Sequence, residues 1–474
     1  MRSEFPRWGN ERADESHTLS LHGVKNLNGS ADIPNLFITW KEMLTIPCIV
    51  WTRSEVSDNI NPYLMGNELP EEDRMKRSPL GIAVCSGIVS CLFFCLPACK
   101  KEAAGPKVEV IDGVTFVHNP ATPQHPKRTL ALEEDFTFKE KDETGEIRIF
   151  KPGRFTVDAQ DNVYIQDESD MAIKVFDPLG KYLRTIGRQG KGPGEFENIG
   201  YLFILPDGGL MVTDYGNRRT SFLNPEGKYL SSFQWKRSMG EVYLATATSI
   251  TLTESVFSEE KSELWIKTVN HSGEELMNFG EFTLAESKTI RRGSMMMGTT
   301  VPWSPSSVFA SDQRRQWLYH CLNDKYVIEI YDSQGKLIRK IDRPYELVPV
   351  TDEDINQVRS RHGEPPDSPF AKFIADIEIP KVKTVTDRML VDSEGNLWVE
   401  TNEEKKKQEG EGNEKKAEEN PVKAYDIFSP DGVYETRVWT DIRPILFANG
   451  KMYRLVEDEE TGLLQLKRYG VIWK

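Results

Sequence analysis

This sequence lacks a disulfide framework, a zinc-binding histidine motif and a block of basic residues. The 6 cysteines are irregularly spaced and do not make the framework of a disulfide-stabilised domain. The histidines that follow residue 99 are scattered, with no HExxH motif and no close pair, so their spacing supports no zinc site; they are His118, His125, His271, His320 and His362. No block of lysine and arginine stands out in a chain of net charge -14, and binding to nucleic acid is therefore not expected.

What the sequence does contain is a repeated β-hairpin. In residues 173–196, alternating apolar residues lie on both sides of a turn that contains Pro178 and Gly180. Proline presets φ at a turn corner, and glycine accepts the positive φ that most residues resist. Further copies of this hairpin, some of them degenerate, lie at residues 220–233, 265–280, 327–341, 424–439 and 464–473.

A second hairpin pattern precedes most of these copies. It places apolar residues around an Asp, Asn or Gly turn, so each unit holds two hairpins, or four short strands. The first turn glycines are about 46 residues apart, which is the period of a β-propeller blade and is less typical of a β-sandwich. Six copies predict an all-β fold, a six-bladed β-propeller over residues 108–474 with small helical insertions. The second pattern occurs at residues 155–167, 203–214, 389–400 and 445–455.

The segment before the repeats has the character of a secretion signal. Residues 1–74 have no repeat and no sustained period, and we interpret them as a non-native or disordered extension before a true start at Met75. Residues 75–98 combine a short basic start with an apolar run, as a signal peptide does. The rival interpretation is a membrane-spanning helix near residues 79–98, because about 20 apolar residues suffice to cross a bilayer.

Residues 96–99, Leu-Pro-Ala-Cys, resemble the bacterial lipobox. The resemblance implies cleavage before Cys99, lipid on its sulfur and new amino terminus, and attachment to a membrane of the bacterial envelope on the extracytoplasmic side. Residues 99–107 would then form a tether. Only Cys99 and Cys321 would remain after cleavage, so no internal disulfide is expected, and Cys321 is predicted to be a buried strand residue.

Two segments between the tether and the repeats predict further strands. Residues 108–120 show a hairpin pattern around Asp112 and Gly113. Residues 130–138 predict a strand that pairs with the C-terminal strands of the last blade. Such a pairing closes the ring and removes the exposed strand edges that would otherwise aggregate.

Residues 180–196 and 212–223 resemble the NHL-repeat family of six-bladed propellers, most specifically in the Gly-Pro-Gly-Glu-Phe motif at 192–196. Residues 111–120 and the hairpins that follow are similar to bacterial propeller lipoproteins of that type. The resemblance implies a scaffold that binds a ligand or another protein. Some related propellers are metal-dependent lactonases or lyases, but their metal ligands do not map onto this sequence, so no catalytic residue and no metal ligand is assigned.

The second unit supplies the first candidate binding residues. Asp214, Asn217 and Arg218 follow a strand in a tight turn and are expected to cap that turn. This leaves Tyr215 and Arg219 as surface candidates for ligand binding. The glycine-rich loop before this unit lacks the helix or the Lys-Ser/Thr step of a phosphate cradle, which favours a linker between blades.

Two insertions break the blade period. The one at residues 282–303 carries Arg291, Arg292 and Trp303, which we take as candidate ligand-binding residues beside a methionine run that either binds a partner or fills the core. The one at residues 343–384 contains two helix-start patterns, a capping sequence at 351–354 and a Ser-Pro step at 368–369. A lid over the axial pocket and a cap without a ligand beneath it both fit this second insertion.

A third insertion, at residues 403–420, is a charged low-complexity run and predicts a solvated hairpin loop. Taken together, the sequence favours a binding protein or scaffold that takes a protein, peptide or glycan ligand and needs no cofactor. The alternative is a metal-dependent, lactonase-like hydrolase whose carboxylates and amides gather with a divalent metal on the propeller axis.

Overall fold

The structure is a computed structural model that describes residues 105–138, 149, 151–257, 262–292, 295–360, 369–405, 422–458, 462 and 464–474. All of these residues fall within the second of two compact units, Cys95–Lys474. The predictions for residues 1–74, the signal segment at 75–98 and the lipidated Cys99 lie outside the described residues, as do most of the tether and of the charged loop. No helix among the described residues is long and apolar enough to cross a membrane.

The chain forms short strands that follow one another as antiparallel blades. The strands before blade 1 are β1 (Lys107–Ile111), β2 (Val114–His118) and β3 (Leu130–Phe138). Blade 1 comprises β4 (Pro152–Val157), β5 (Val163–Asp167), β6 (Ala172–Phe176) and β7 (Tyr182–Ile186). Blade 2 comprises β8 (Ile199–Ile204), β9 (Leu210–Asp214), β10 (Arg219–Leu223) and β11 (Tyr229–Gln234). Blade 3 comprises β12 (Ser238–Ala245), β13 (Ser249–Phe257), β14 (Ser262–Asn270) and β15 (Glu275–Phe282).

The second half of the chain repeats this arrangement with insertions between the blades. An inserted hairpin, β16 (Ser287–Arg292) and β17 (Met295–Thr300), precedes blade 4, which comprises β18 (Ser307–Asp312), β19 (Trp317–Leu322), β20 (Val327–Tyr331) and β21 (Leu337–Asp342). Two helices, α1 (Asp352–Ser360) and α2 (Pro369–Ala375), precede blade 5, which comprises β22 (Thr386–Val391), β23 (Leu397–Lys405), β24 (Val422–Phe428) and β25 (Tyr434–Thr440). Blade 6 contains β26 (Leu446–Ala448), β27 (Lys451–Glu457) and β28 (Leu464–Trp473).

The sequence repeats correspond to half-blades. The first five copies of the first hairpin pattern form the third and fourth strands of a blade, as β6 and β7 do for residues 173–196. The sixth copy, residues 464–473, is the single strand β28, the third strand of blade 6. Each copy of the second pattern forms the first and second strands, as β4 and β5 do for residues 155–167. The prediction of two hairpins per unit and of a six-bladed ring is therefore confirmed.

The ring is closed by the strand predicted to close it. β3 pairs antiparallel with β28, in a register that runs from Leu130 opposite Trp473 to Phe138 opposite Leu466. β3 thus becomes the fourth strand of blade 6, whose other three strands come from the end of the chain. The first and last parts of the propeller share one sheet, so the ring presents no open blade edge at its junction.

The predicted hairpin at residues 108–120 also forms, but it joins a different blade. β1 and β2 meet at a turn in which Asp112 (φ 52°) and Gly113 (φ 79°) both have positive φ, as a two-residue hairpin turn requires. β2 then pairs in parallel with β21, with Thr115 opposite Arg339. Blade 4 is therefore extended to six strands.

The core lies between neighbouring blades rather than inside any one of them. Between blades 1 and 2, Ile173 and Val175 of β6 share a cluster with Leu210 and Val212 of β9, all almost fully buried. A comparable cluster joins blade 6 to blade 1 across the closure. Burying such a side chain stabilises the fold by about 1.5–3 kcal/mol, so each blade depends on its two neighbours.

The turn glycines also connect neighbouring blades. Gly227 has φ 84°, and a Cβ placed on it would lie 2.6 Å from Ile186 Cγ1 on the fourth strand of blade 1. The same contact recurs round the ring, where the turn between the third and fourth strands of one blade rests on the fourth strand of the previous blade. The pairs are Gly180 on Phe136, Gly227 on Ile186, Gly273 on Phe233, Gly335 on Met277 and Gly432 on Ile341.

All connections between blades lie on one face of the ring. The four strands of a blade alternate in direction, so the fourth strand of one blade ends on the face where the first strand of the next begins. We call this the linker face. It carries the glycine-rich segment between β7 and β8, the β16–β17 hairpin and the segment that holds α1 and α2.

The second insertion begins as predicted. The Thr351 hydroxyl accepts from the Asp354 backbone N–H (3.2 Å), and the Asp354 carboxylate accepts from the Thr351 backbone N–H (2.9 Å), which is a reciprocal cap at the start of α1. Asp354 also binds Lys383 Nζ at 2.6 Å, just before β22. The helix is therefore held against the start of blade 5.

A buried charge cluster joins blades 4 and 5. Asp426 of β24 is fully buried and accepts hydrogen bonds from Arg343, Arg437, Tyr326 and Tyr434 at 2.6–2.7 Å. Burial alone would raise the pKa of Asp426, but the two arginines and the hydroxyls hold it below its usual value. The carboxylate is therefore ionised and fully hydrogen-bonded, and it links the insertion segment after β21 to blade 5.

The glycine contact predicts a stability difference between two otherwise similar substitutions. Gly227→Ala should lower the free energy of unfolding by about 1–2 kcal/mol for the positive φ and by about 1–3 kcal/mol more for the clash with Ile186. Gly450→Ala is the matched control, because Gly450 has φ 76° and no atom within 4 Å of its Cβ position. Denaturant titration measures both; equal losses would contradict the proposed packing role.

Candidate functional site

The first strands of neighbouring blades approach one another around the axis, as β4 does β8 and β18 does β22. In blades 1, 2 and 3 this inner strand contains a β-bulge, in which two of its residues oppose one residue of the second strand. The three bulges are Gly153 and Arg154 against Gln166, Gly200 and Tyr201 against Thr213, and Gly240 and Glu241 against Thr253.

The glycine of each bulge lies close to a side chain of the second strand, and the approach is tightest at Gly200 and Gly240. A Cβ on Gly153, Gly200 or Gly240 would lie 3.0, 2.6 or 2.3 Å from a side-chain oxygen of the facing residue on the second strand. At Gly200 that oxygen, Thr213 Oγ1, also accepts from the Tyr201 backbone N–H at 2.6 Å. The backbone is therefore fixed at the same point in three blades, while the residue after the glycine differs.

These variable residues contact one another at the ring centre. The Arg154 guanidinium lies 4.2 Å above the centre of the Tyr201 ring. Burial raises the pKa of Tyr201, and the charge of Glu241 and the neighbouring Tyr215 hydroxyl raise it further. The Tyr243 hydroxyl donates to Glu241 Oε2 at 3.2 Å. A cation, three phenol groups and a carboxylate are thus gathered from blades 1, 2 and 3.

Blade 5 adds a second cation from the opposite direction. Arg388 lies in the inner strand β22, directly after Asp387, which has no residue opposite it on β23. The positive charges of Arg388 and Arg154 both act on the Glu241 carboxylate. Blades 1, 3 and 5 are not neighbours in a ring of six, so their side chains can interact only across the axis. We call Arg154, Tyr201, Glu241, Tyr243 and Arg388 the axial cluster.

An ion pair borders the axial cluster on the side of blade 6. Arg443, just before β26, donates through Nε to Glu400 Oε2 at 3.0 Å, and the Tyr425 hydroxyl donates to the same oxygen at 2.9 Å. Burial lowers the pKa of Arg388, and the nearby positive charge of Arg443 lowers it further. Arg388 nevertheless remains a cation at neutral pH, because arginine does not lose its proton in proteins.

Glu241 is the acidic side chain of the axial cluster, and its pKa is shifted by its surroundings. Solvent reaches its side chain, yet protein surrounds it on several sides, and this loss of hydration raises its pKa against the opposing effects of Tyr243, Arg154 and Arg388. Burial and the Glu241 charge raise the pKa of Tyr201 to about 12, so this phenol stays protonated. The axial cluster therefore contains one carboxylic acid, and its pKa lies above the ordinary carboxyl value.

The structure places the candidate binding residues predicted from the sequence in different environments. Tyr215 is half-buried, packs edge-on against Trp235 and borders the axial cluster through Tyr201. Arg219 was expected at the surface, but it is only 7% exposed, because it donates to the carbonyls of Lys191, Gly192 and Glu195 and so fixes the glycine-rich linker. Its role in ligand binding stays an untested prediction, with a structural role now visible.

The other candidates lie in the first insertion. Trp303 is half-buried, has φ 53° and lies 5.6 Å from Lys383 Nζ, next to the segment that anchors α1. A positive φ is unusual for a bulky residue and marks a constrained position. Arg291 and Arg292 belong to β16, pairing with Met296 and Met295 of β17, and their side chains lie outside the described set.

Several structural predictions for this region are confirmed. The buried Asp214 carboxylate accepts from the backbone N–H groups of Asn198 and Asn217, so the turn after β9 is capped locally. The glycine-rich segment is a linker between β7 and β8. Cys321 is a buried residue of β19, and burial raises the pKa of its thiol to about 12. Among the residues that the structure describes, no group of three or more His, Cys, Asp or Glu is placed to hold a metal ion.

Comparison with known proteins bears on the fold. Residues 145–218 match a family model described as a 6-bladed beta-propeller. That segment covers blade 1 and the first strands of blade 2. Comparison with curated proteins finds no match.

Several solved structures are similar over most of the chain. A Bacteroides fragilis protein described as a candidate exported protein is 10% identical, with a TM-score of 0.43 over 76% of this chain and 99% of that one. A DUF4221 family member from Bacteroides vulgatus is 8% identical, with a TM-score of 0.42 over 79% and 99%. The calcium-binding protein regucalcin from Agrobacterium tumefaciens is 9% identical, with a TM-score of 0.32 over 72% and 96%.

The raised pKa of Glu241 predicts a pH-dependent gain in stability on substitution. A raised carboxyl pKa means that folding favours the protonated form, so stability falls as pH rises through that pKa. Glu241→Gln should therefore raise the melting temperature above the titration range, by at most about 2 °C because solvent screens the site, and should change little below about pH 4. Thermal unfolding across pH measures this; the exposed Glu226→Gln is the control, and a rise confined to acid pH would contradict it.

Proposed function

We propose that this protein is a non-catalytic binding protein of the bacterial envelope, built on an NHL-like propeller and held to a membrane by lipid on Cys99. Its ligand is a segment of a protein, peptide or glycan that enters the axis at the linker face. The lipobox-like residues 96–99 after an apolar run support the anchor. The axial cluster supports the binding site.

One observation carries the binding proposal. Within the part of the chain that the structure describes, neither Arg154 nor Arg388 forms an ion pair with a carboxylate, although both approach the axis beside Tyr201 and Glu241. Other arginines of the interior, such as Arg343 and Arg437, are fully paired with a carboxylate. Two cations that converge on a rigid frame without an ion-pair partner are suited to the recognition of a ligand.

The location on the ring agrees with the proposal. The bulges lie in the first half of the inner strands, toward the linker face, and both described insertions lie on that face. Helix α1 is held by Lys383 next to Trp303, so the insertions could cover a ligand at the axis. We therefore assign the insertions the role of a wall or lid for the axial site.

The binding proposal predicts that loss of Tyr201 on the inner strand lowers ligand affinity and that loss of Tyr229 on the outer strand does not. A thermal-shift panel of amino acids, short peptides and oligosaccharides on the purified protein should yield a stabilising ligand. Tyr201→Ala should weaken that ligand by about tenfold, the scale of one important contact. The control is Tyr229→Ala, which removes a half-buried tyrosine of the same blade from its outer strand.

Two results would contradict axial binding. One is equal loss of affinity in both tyrosine variants. The other is a large melting-temperature rise with a divalent metal alone, abolished by Glu241→Gln, which would favour the metal-dependent hydrolase.

The anchor has a separate test. Acyl chains buried in a bilayer contribute about 0.8 kcal/mol of membrane-binding free energy per methylene group, so a lipidated protein stays with the membrane. Intact-mass analysis of protein extracted from membranes should therefore show a chain that begins at Cys99 and carries a lipid adduct. Cys99→Ala should release the protein from the membrane fraction while leaving thermal unfolding of the propeller unchanged. Peptides from residues 1–74 in the mature material would contradict the assigned cleavage.

A further inference from the structure

Arg154 and Arg388 stand apart from the other arginines near the axis. The Arg443 guanidinium is occupied by Glu400, which also accepts from Tyr425. Arg388 makes one long contact, from Nη2 to the Ile445 carbonyl oxygen at 3.4 Å, and Arg154 lies over the Tyr201 ring. Both retain free N–H donors on a side chain that solvent reaches.

Glu241 is a carboxylate on which both cations act, yet it forms an ion pair with neither of them among the described residues. Its described hydrogen bond comes from the Tyr243 hydroxyl on the same strand. The charges of Arg154 and Arg388 nevertheless act on it from blades 1 and 5. Two guanidinium groups thus face one carboxylate across the axis without closing on it, which leaves their hydrogen-bonding edges available to a second carboxylate.

We propose that the axial site binds a ligand carboxylate between Arg154 and Arg388, and that Glu241 competes with that ligand for the two guanidinium groups. This rests on the proposed axial binding function and specifies its ligand chemistry. The planar guanidinium matches a carboxylate with two parallel hydrogen bonds, and a pair of them selects an acid over a neutral analogue.

The competition makes binding dependent on pH. When Glu241 is ionised, it repels the ligand carboxylate and attracts both arginines. When Glu241 is protonated, the repulsion disappears and its hydroxyl becomes a hydrogen-bond donor to the ligand. Affinity therefore rises as pH falls through the titration of Glu241, as long as the ligand acid stays ionised.

The groups that face Glu241 do not reverse this sign. Arg154 and Arg388 remain cations throughout, and the phenols of Tyr201 and Tyr243 remain neutral, since burial raises the pKa of both tyrosines. Of the two further carboxylates near the cluster, Glu400 is held by Arg443, and Asp387 accepts from the Thr384 hydroxyl. Glu241 is the acid whose protonation changes the charge between the two open arginines.

Two sources of carboxylate have this chemistry, an acidic sugar and a peptide C-terminus. Calorimetric titration of the purified protein distinguishes them with matched probes. Trigalacturonate is compared with galactotriose, and trialanine with its C-terminal amide. We expect one acid to bind at least about tenfold more tightly than its neutral partner, and more tightly at about pH 5 than at about pH 8.

The variants separate the parts of the proposal. Arg154→Gln and Arg388→Gln should each weaken the acid by about 10- to 100-fold, the scale of a lost charge-assisted hydrogen-bond pair. Glu241→Gln should flatten the pH dependence and strengthen binding at high pH. Arg188→Gln, in the linker after β7, is the matched control and should change nothing. Arg388→Lys keeps the charge without the planar fork and should recover only part of the affinity.

The outcomes against the proposal are distinct. Equal binding of an acid and its neutral partner, still weakened by Tyr201→Ala, would overturn the carboxylate proposal and leave the axial function in place. Failure of both acids to bind would overturn it as well. Carboxylate binding that survives Arg154→Gln, Arg388→Gln and Tyr201→Ala alike would place the site elsewhere and overturn both proposals.

Discussion

A four-stranded blade has two apolar faces, and only another blade can bury them. This constraint fixes most of the architecture. Residues such as Val175 and Val212 are buried between blades, and the turn at Gly227 fits against Ile186 of the blade before it. Because every blade needs two neighbours, the arrangement is stable only as a closed ring. The pairing of β3 with β28 is therefore a requirement of the packing.

The same frame separates stability from recognition. At the inner bulges the glycine is fixed by contact with the second strand, whereas the residue after it is Arg154, Tyr201 or Glu241. The backbone thus repeats while the chemistry changes from blade to blade. The largest additions lie around blades 4 and 5, where the buried Asp426 joins the insertion segment to the ring through Arg343.

Much of the fold could be predicted from the sequence because its signals are local. Alternating apolar residues, turn glycines and the cap at Thr351 each depend on a few adjacent residues. The pairing of β3 followed from one further requirement, that a ring has no free edge. The axial site could not be predicted in the same way. Arg154, Glu241 and Arg388 are distant from one another in the chain. Arg219 was expected at the surface because the linker carbonyls that it binds approach it only in the folded protein.

The sequence by itself determined the number of blades, the hairpins within them and the strand that closes the ring, since these follow from periodicity and turn chemistry. A weak signal for the site was present, a glycine followed by Arg154, Tyr201 or Glu241 at the start of successive units. Only the tertiary structure decided that these side chains meet. The bulge register aims them inward, and ring closure brings alternate blades together at the axis, which no local pattern encodes.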